Sequence, residues 1–212
     1  MDITWLGHSC FRIKGKEVTV ITDPCHPSLG YSLNKLQADI VTLSHPHPGH
    51  CYTQAVTGEF KVIKGPGEYE LKGVFITGIA TWHDDAKGEK LGKNTVYVLE
   101  MDGITLCHLG DLGHLPASEL IEDMGDIDVL FLPVGGVSTI GGSTAAEVVR
   151  RLTPKVVIPM HYKTAALAKE LEPADKFLKE VGVKEQVSQP KLSVNRSTLP
   201  TSTQVVILDY PH

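Results

Sequence analysis

IVTLSHPHPGH, residues 40–50, is the stretch from which the fold reads outward. Its apolar start, 40–43, has the length and β-branched content of a short buried strand. Three histidines follow at once: His45, His47 and His50. Pro46, Pro48 and Gly49 keep the intervening backbone out of helix and ladder, so the segment is a loop at the end of a strand. Imidazole suits borderline cations such as zinc, and a loop leaving a rigid strand holds several imidazoles in a fixed fan. His45 and His47, two residues apart, are spaced to reach one ion from the same side. His50 lies past the bend at Gly49 and is placed to turn toward a second. The bland alternative is a surface loop with three titrating histidines. Three in six residues, directly after a buried strand, weigh against it.

Outward from this loop, strands are expected at 3–6, 10–13, 18–22, 60–63, 68–71, 74–79, 94–101, 104–109, 129–132, 156–158 and 205–208. Residues 25–39 read as a loop with one helical turn. Helices are expected at 116–124 with Ser118 as N-cap, at about 144–152 with Ser143 or Thr144 as cap and Glu147 at capping-box distance, and at 164–181, kinked by Pro173. Asp23, His45, His83, Asp111 and His161 each follow the C-terminal end of one of these strands. In layered α/β folds such ends converge on a common crevice. Asp23 reads in two ways, as a residue that orients a metal ligand or as a plain Asx-turn residue before Pro24. His83 alone reads as a packed histidine beside Trp82, and Asp111 alone as a turn residue; five such residues at one edge point to a metal centre.

Length and composition set bounds. The 212 residues are expected to form a single domain, 1–212. A hydrophobic fraction of 42% and a charged fraction of 21% are ordinary for a globular protein. The net charge of −5, with no run of Lys or Arg, argues against a nucleic-acid surface or an anionic membrane as partner. No signal pattern opens the chain and no apolar run approaches about 18 residues, so a soluble cytoplasmic protein is expected. Cys10, Cys25, Cys51 and Cys107 form no CxxC pair and read as free thiols.

The histidine word 45–50, His83, the Gly110-Asp111 pair and His161 together resemble the metallo-β-lactamase superfamily. WLGHSCFRI at 5–13, ITDP at 21–24, HLGD at 108–111, PVGG at 133–136 and VVIPMHY at 156–162 resemble its small bacterial and archaeal branch that includes ascorbate-6-phosphate lactonase-like Zn-dependent hydrolases. The resemblance covers residues 3 to about 162. It implies a four-layer αββα sandwich: two mixed sheets face to face, helices on both outer faces, and metal at one edge. It implies a first metal site of His45, His47 and His83, a second of His50 and His161, and Asp111 bridging both. Self-association is common among such relatives, so a homo-oligomer is compatible with it. Hydrolysis of β-lactams is not implied, because the resemblance is to another branch.

One departure stands out. The superfamily motif is H-x-H-x-D-H, and its Asp is a second-site ligand; this chain has Gly49 there. The second ion keeps His50, Asp111 and His161, and three protein ligands plus water still make an open catalytic site. Asp23, Cys25, His26, Asp84 and His114 are the candidates to compensate. The expected chemistry is hydrolysis of a small ester, lactone or phosphoester by metal-activated water, with one or two divalent ions. Zinc suits the ligand set best; manganese, iron and nickel are compatible. His8, in the turn Gly7-His8-Ser9, and His114, three residues beyond Asp111, are candidates to protonate the leaving group or grip an anionic substrate. The alternative reading is a metal-binding protein that has lost activity and serves binding or sensing, motivated by Gly49. A nuclease is the less favoured third, since no basic, aromatic-interleaved patch is present.

Overall fold

The computed structural model describes residues 1–33 and 35–210; Asn34, inside the expected 25–39 loop, lies outside the described residues. Two sheets dominate. The first has six strands in the order Leu192–Ser193, Asp2–Gly7, Cys10–Lys14, Thr19–Thr22, Ile40–Leu43, Lys61–Lys64. Its first four are antiparallel neighbours and its last three are parallel. The second has seven, in the order Gln204–Val205, Val156–Met160, Val129–Pro133, Ile104–His108, Lys93–Met101, Val74–Trp82, Gly67–Leu71. Parallel pairing at one side gives way to an antiparallel meander at the other.

Alternation along the strands builds the sandwich, because successive side chains of a strand point to opposite faces. Ile3, Trp5, Phe11, Ile13, Val20 and Ile40 of the first sheet enter one core with Tyr97, Leu99, Leu106, Val129, Phe131 and Ile158 of the second. The in-between residues Val96, Val98, Cys107, Leu130, Leu132 and Val157 face outward into a second core. Helix α2 (Gly142–Leu152) covers that core with Ala145, Ala146, Val148, Val149 and Leu152 on one stripe. Its Glu147 pairs on the solvent side with Arg150 and Arg151. The outer face of the first sheet, at Cys10, Ile21 and Val41, is covered by Tyr31, Leu33, Ala55, Val56, Leu167 and Leu171.

The expected two-sheet sandwich is the one observed, with four differences of detail. The cover over the first sheet is irregular chain with two 3-10 turns, Pro27–Leu29 and Thr53–Ala55, because Pro24, Pro27, Gly30, Pro46, Pro48 and Gly49 punctuate these segments. The helix expected over 164–181 shrinks to α3 (Asp175–Glu180), after Pro173. The backbone before it bonds to neighbouring loops instead: Ala168 N–H to Leu29 O, Glu172 N–H to Gly135 O and Lys163 N–H to Glu172 O. Neither expected cap forms. Helix α1 (Ser118–Met124) has Ala117 at its N-cap and α2 has Gly141, and neither side chain caps its helix. The expected strand over 205–208 divides into Gln204–Val205, paired to Val156–Met160, and Ile207–Leu208, paired to Ser188–Gln189. Among the described residues no helix is long and apolar enough to cross a membrane.

Phe131 is fully buried between the sheets, its ring centroid 4.5 Å from that of Phe11. Truncation to alanine is expected to cost about 3–5 kcal/mol in urea denaturation. Phe75→Ala, at a position 53% exposed, is expected to stay within about 0.5 kcal/mol of the parent.

Candidate metal centre

Most residues of the site sit where a strand stops, and His47 and His50 lie further along the loop after Ile40–Leu43. His8 follows Asp2–Gly7, Asp23 follows Thr19–Thr22, and Ser44 and His45 follow Ile40–Leu43. His83 follows Val74–Trp82, Asp111 lies three residues past Ile104–His108, and His161 follows Val156–Met160. Thr22 pairs in parallel with Thr42, so Asp23 and Ser44 emerge side by side. His8, Asp23 and His161 have left-handed backbones, with φ of 54°, 37° and 52°. Non-glycine residues there cost on the order of 1–2 kcal/mol each, and such strain clusters at functional sites. The His161 N–H and the Trp5 indole N–H both donate to the His8 carbonyl, at 3.1 and 2.9 Å, which pins two of these turns together. Gly113 lets the loop after Asp111 pass the main chain at His83: a Cβ there would lie 2.2 Å from the His83 carbonyl carbon.

At the centre is Asp111. Its Oδ2 lies 3.2 Å from Nε2 of His50, of His83 and of His161, and 3.7 Å from Nε2 of His45. All five residues are buried. His45 Nε2, His161 Nε2 and Asp111 Oδ1 are buried without hydrogen-bond partners. Potential ligand atoms also gather in three groups, each within 4.8 Å: His45, His47 and His83; His8, His50 and His161; Asp23, His45 and His50. Two ligands about 2.0–2.1 Å from a tetrahedral zinc stand about 3.3 Å apart. The separations around Asp111 match that edge, and the donor set of imidazoles with one carboxylate suits a divalent transition-metal ion.

Electrostatics follow from this crowding. Burial alone would raise the Asp111 pKa, yet His161 and His50 beside it hold the carboxyl well below the ordinary range. Burial would depress His50, but Asp111 and Asp23 outweigh it and raise its pKa to about 9. Burial and then the nearby His50 push His45 down to about 3. Burial lowers His161 as well, with Asp111 opposing.

Asp23 resolves in favour of orienting neighbours. It accepts from Ser44 N–H at 2.7 Å, from the Ser44 hydroxyl, and from His50 Nδ1 at 2.9 Å. Ser44 Oγ in turn stands 2.9 Å from His45 Nδ1. The relay leaves Nε2 of both histidines directed at Asp111. The structure thus brings His45, His47, His50, His83, Asp111 and His161 into one cluster, with His8 beside them. The other four candidates for the place at Gly49 are engaged elsewhere. Cys25 is buried among apolar side chains, and burial pushes its thiol up to about 12. His26 caps the 3-10 turn at Ser28. Asp84 accepts four backbone N–H groups, from Ala86, Gly88, Lys90 and Leu91, and so folds its own loop. His114 spends both ring nitrogens on main chain, with Trp82 N–H at 3.4 Å and Leu115 O at 3.2 Å.

Two supports went unread in the sequence. Asn94 accepts from Asp111 N–H at 2.9 Å while its amide donates to Thr81 Oγ1 and Leu109 O. His108, fully buried, bonds Ser9 O through Nε2 at 2.9 Å and accepts from Gly110 N–H. An asparagine at the start of a strand was the available signal, since strands are depleted in it. Asn94→Ala strands the Asp111 amide and the Leu109 carbonyl, and is expected to cost about 1–3 kcal/mol per buried group left unpaired, read by urea denaturation.

The Beta-lactamase superfamily domain, as a family profile, matches residues 2–161. A metal-dependent hydrolase of Pelotomaculum thermopropionicum is 33% identical over 207 residues, covering 82% of this chain and 90% of its own. Another, from Thermococcus onnurineus, is 30% identical over 216 residues, covering 88% and 95%. A solved structure from Thermotoga maritima, assigned to the metallo-β-lactamase superfamily, is 42% identical and superposes with a TM-score of 0.81 over 99% of each chain. The chain belongs to the metallo-β-lactamase superfamily, within its family of metal-dependent hydrolases.

Proposed function

We propose that the protein hydrolyses a small ester, lactone or phosphoester with divalent ions, zinc foremost, held at the strand-end cluster. His45, His47 and His83 would hold one ion, and His50 and His161 a second, with Asp111 placed between the two groups. The observation that carries this is the Asp111 Oδ2 atom, with three imidazole nitrogens at 3.2 Å and buried nitrogens left unpartnered around it. Bound at such a site, a divalent ion supplies a water whose pKa drops from near 16 to about 7 and polarises a carbonyl or phosphoryl oxygen.

The chain's own groups do the rest. Asp111 stays ionised through the working pH range, and Asp23 and Ser44 hold His50 and His45 by their Nδ1 atoms. A polar cleft of about 220 Å³ opens beside His83, walled by Asp84, Lys90, Ser138 and Thr139. Lys169, its ammonium 3.4 Å from Ser138 Oγ, acts electrostatically on His8, His47 and His161. It gives the cluster an anion-attracting side, which favours a substrate bearing a carboxylate or phosphate.

Three outcomes are expected. Plasma mass spectrometry after dialysis against zinc finds two ions per chain, and turnover of p-nitrophenyl acetate or bis(p-nitrophenyl) phosphate stops with chelator and returns with metal; a chain that takes no tight ion sinks the proposal. Asp23→Asn, which weakens the hold on His50, lowers zinc affinity about 10–100-fold in competition titrations. In chelator-stripped protein the raised His50 pKa makes stability depend on pH. Its contribution is complete below about 6.5, the unfolded value, and is lost as the pH rises through about 9. The melting temperature of the stripped protein therefore falls across that window, and Asp111→Asn flattens the slope.

A further inference from the structure

Gly49 occupies the position between His47 and His50 where a side-chain donor would be expected, and its own surroundings show what stands there instead. Its φ is not left-handed, so the backbone does not demand glycine. Space constrains it. A Cβ at 49 would lie 3.2 Å from His8 Nε2 and 3.4 Å from both His8 Cδ2 and Leu29 Cδ1. The imidazole of His8 would have to give by a few tenths of an ångström to admit a side chain at 49.

That imidazole belongs to the cluster by every measure of placement. His8 is 1% exposed, and its ring centroid lies 4.2 Å from that of His161 and 4.9 Å from that of His50. Ligand atoms of His8, His50 and His161 lie within 4.8 Å of one another. Its Nδ1 is buried with no hydrogen-bond partner. Its backbone is held left-handed by the two bonds to its carbonyl, so the ring is placed by main-chain geometry rather than by side-chain packing alone.

We propose that His8 is a direct ligand of the ion faced by His50, His161 and Asp111, and that Gly49 is glycine to admit its ring. This rests on the metal-site reading above. It completes a symmetrical arrangement: three imidazoles on each side of the Asp111 carboxylate, with His45, His47 and His83 opposite His8, His50 and His161. Four protein ligands per ion, counting the shared carboxylate, also explain how the chain keeps a second site without an acidic residue at 49.

The test is a set of four proteins: the parent, His8→Ala, Gly49→Asp, and the double variant His8→Ala/Gly49→Asp. Each is titrated with zinc under competition by a chelator, and with cobalt, whose visible absorption reports coordination. The parent is expected to hold two ions. His8→Ala is expected to keep the first ion and to lose at least tenfold in affinity for the second, with a changed spectrum for the second cobalt equivalent. Gly49→Asp alone crowds the ring and brings no gain. In the double variant the carboxylate enters the room left by the ring, and the second ion returns. Circular dichroism checks folding, and nitrogen-labelled histidine NMR of cadmium-loaded parent protein, which needs no variant, is expected to show metal coupling at the His8 ring. A His8→Ala protein with both affinities and the cobalt spectrum unchanged overturns the assignment, as does cadmium-loaded protein without coupling at His8. A parent that binds one ion overturns it while leaving the first site standing. A parent that binds none overturns the metal-site reading itself.

Discussion

A buried carboxylate surrounded by imidazoles is the constraint on which this structure turns. Asp111 has four imidazole nitrogens within 3.7 Å of one oxygen and is itself out of solvent. An unpaired buried carboxylate would be too costly to keep charged, so the neighbouring nitrogens or a bound cation must compensate it. The compensation spans both sheets. His8, Asp23, His45 and His50 are borne by the six-stranded sheet and the loops at its edge; His83, Asp111 and His161 are borne by the seven-stranded one. The centre therefore exists only when the sandwich closes, and a cation bound there stabilises the closed sandwich in turn.

Polar bonds between the sheets concentrate at this end of the molecule. Tyr97 donates its hydroxyl to Leu43 O at 3.0 Å, His108 reaches Ser9 O, and Thr95 N–H bonds Ser44 O. Each ties the second sheet to a residue within two positions of His8 or His45. Hydrophobic burial between the sheets is non-directional and fixes their separation more than their register. The polar bonds supply the direction, and they do so beside the atoms that must meet within a few tenths of an ångström.

The sandwich was legible because strands covered on both faces are apolar at nearly every position: runs such as 96–101 and 129–133 feed two cores with successive side chains and stand out as continuous apolar segments. The ligand set was legible because histidine and aspartate directly after apolar runs are unusual. What stayed hidden depends on chain segments distant in sequence. The helix expected over 164–181 has apolar residues at helical spacing, but its backbone is claimed by Leu29 and Gly135, which no local pattern announces. His8 and His114 were equal candidates in the sequence. They part in the structure because one follows a strand whose left-handed end turns it into the cluster, and the other has its nitrogens spent on Trp82 and Leu115. The supporting roles of Asn94 and His108 are of the same kind: a strand-start asparagine and a buried histidine declare their polarity, not their partners.

The surroundings of the cluster are unequal. Beside His45 lies a larger cavity, about 490 Å³, walled by Leu43, Pro46, Pro66 and Ala80 with Lys64 and Lys93 among its lining. Beside His83 lies the smaller polar cleft of Asp84, Lys90, Ser138 and Thr139. A reaction centre flanked by an apolar space on one side and a polar one on the other distinguishes the two ends of a bond before any atom reacts. A substrate of the proposed class would place an anionic group toward Ser138 and Lys169, and an apolar acyl or alkyl part toward Pro46 and Ala80. Oriented binding of this sort converts remote contacts into correct presentation of the scissile bond, which is where a small enzyme gains most from a pocket it has not had to build around the whole substrate. The loop 84–91, folded by the Asp84 carboxylate on four backbone amides, is then a wall whose shape is set by one side chain. That wall is built separately from the ligand cluster: Asp84 shapes the loop beside His83, whereas the imidazoles and Asp111 are carried by strand ends of the two sheets.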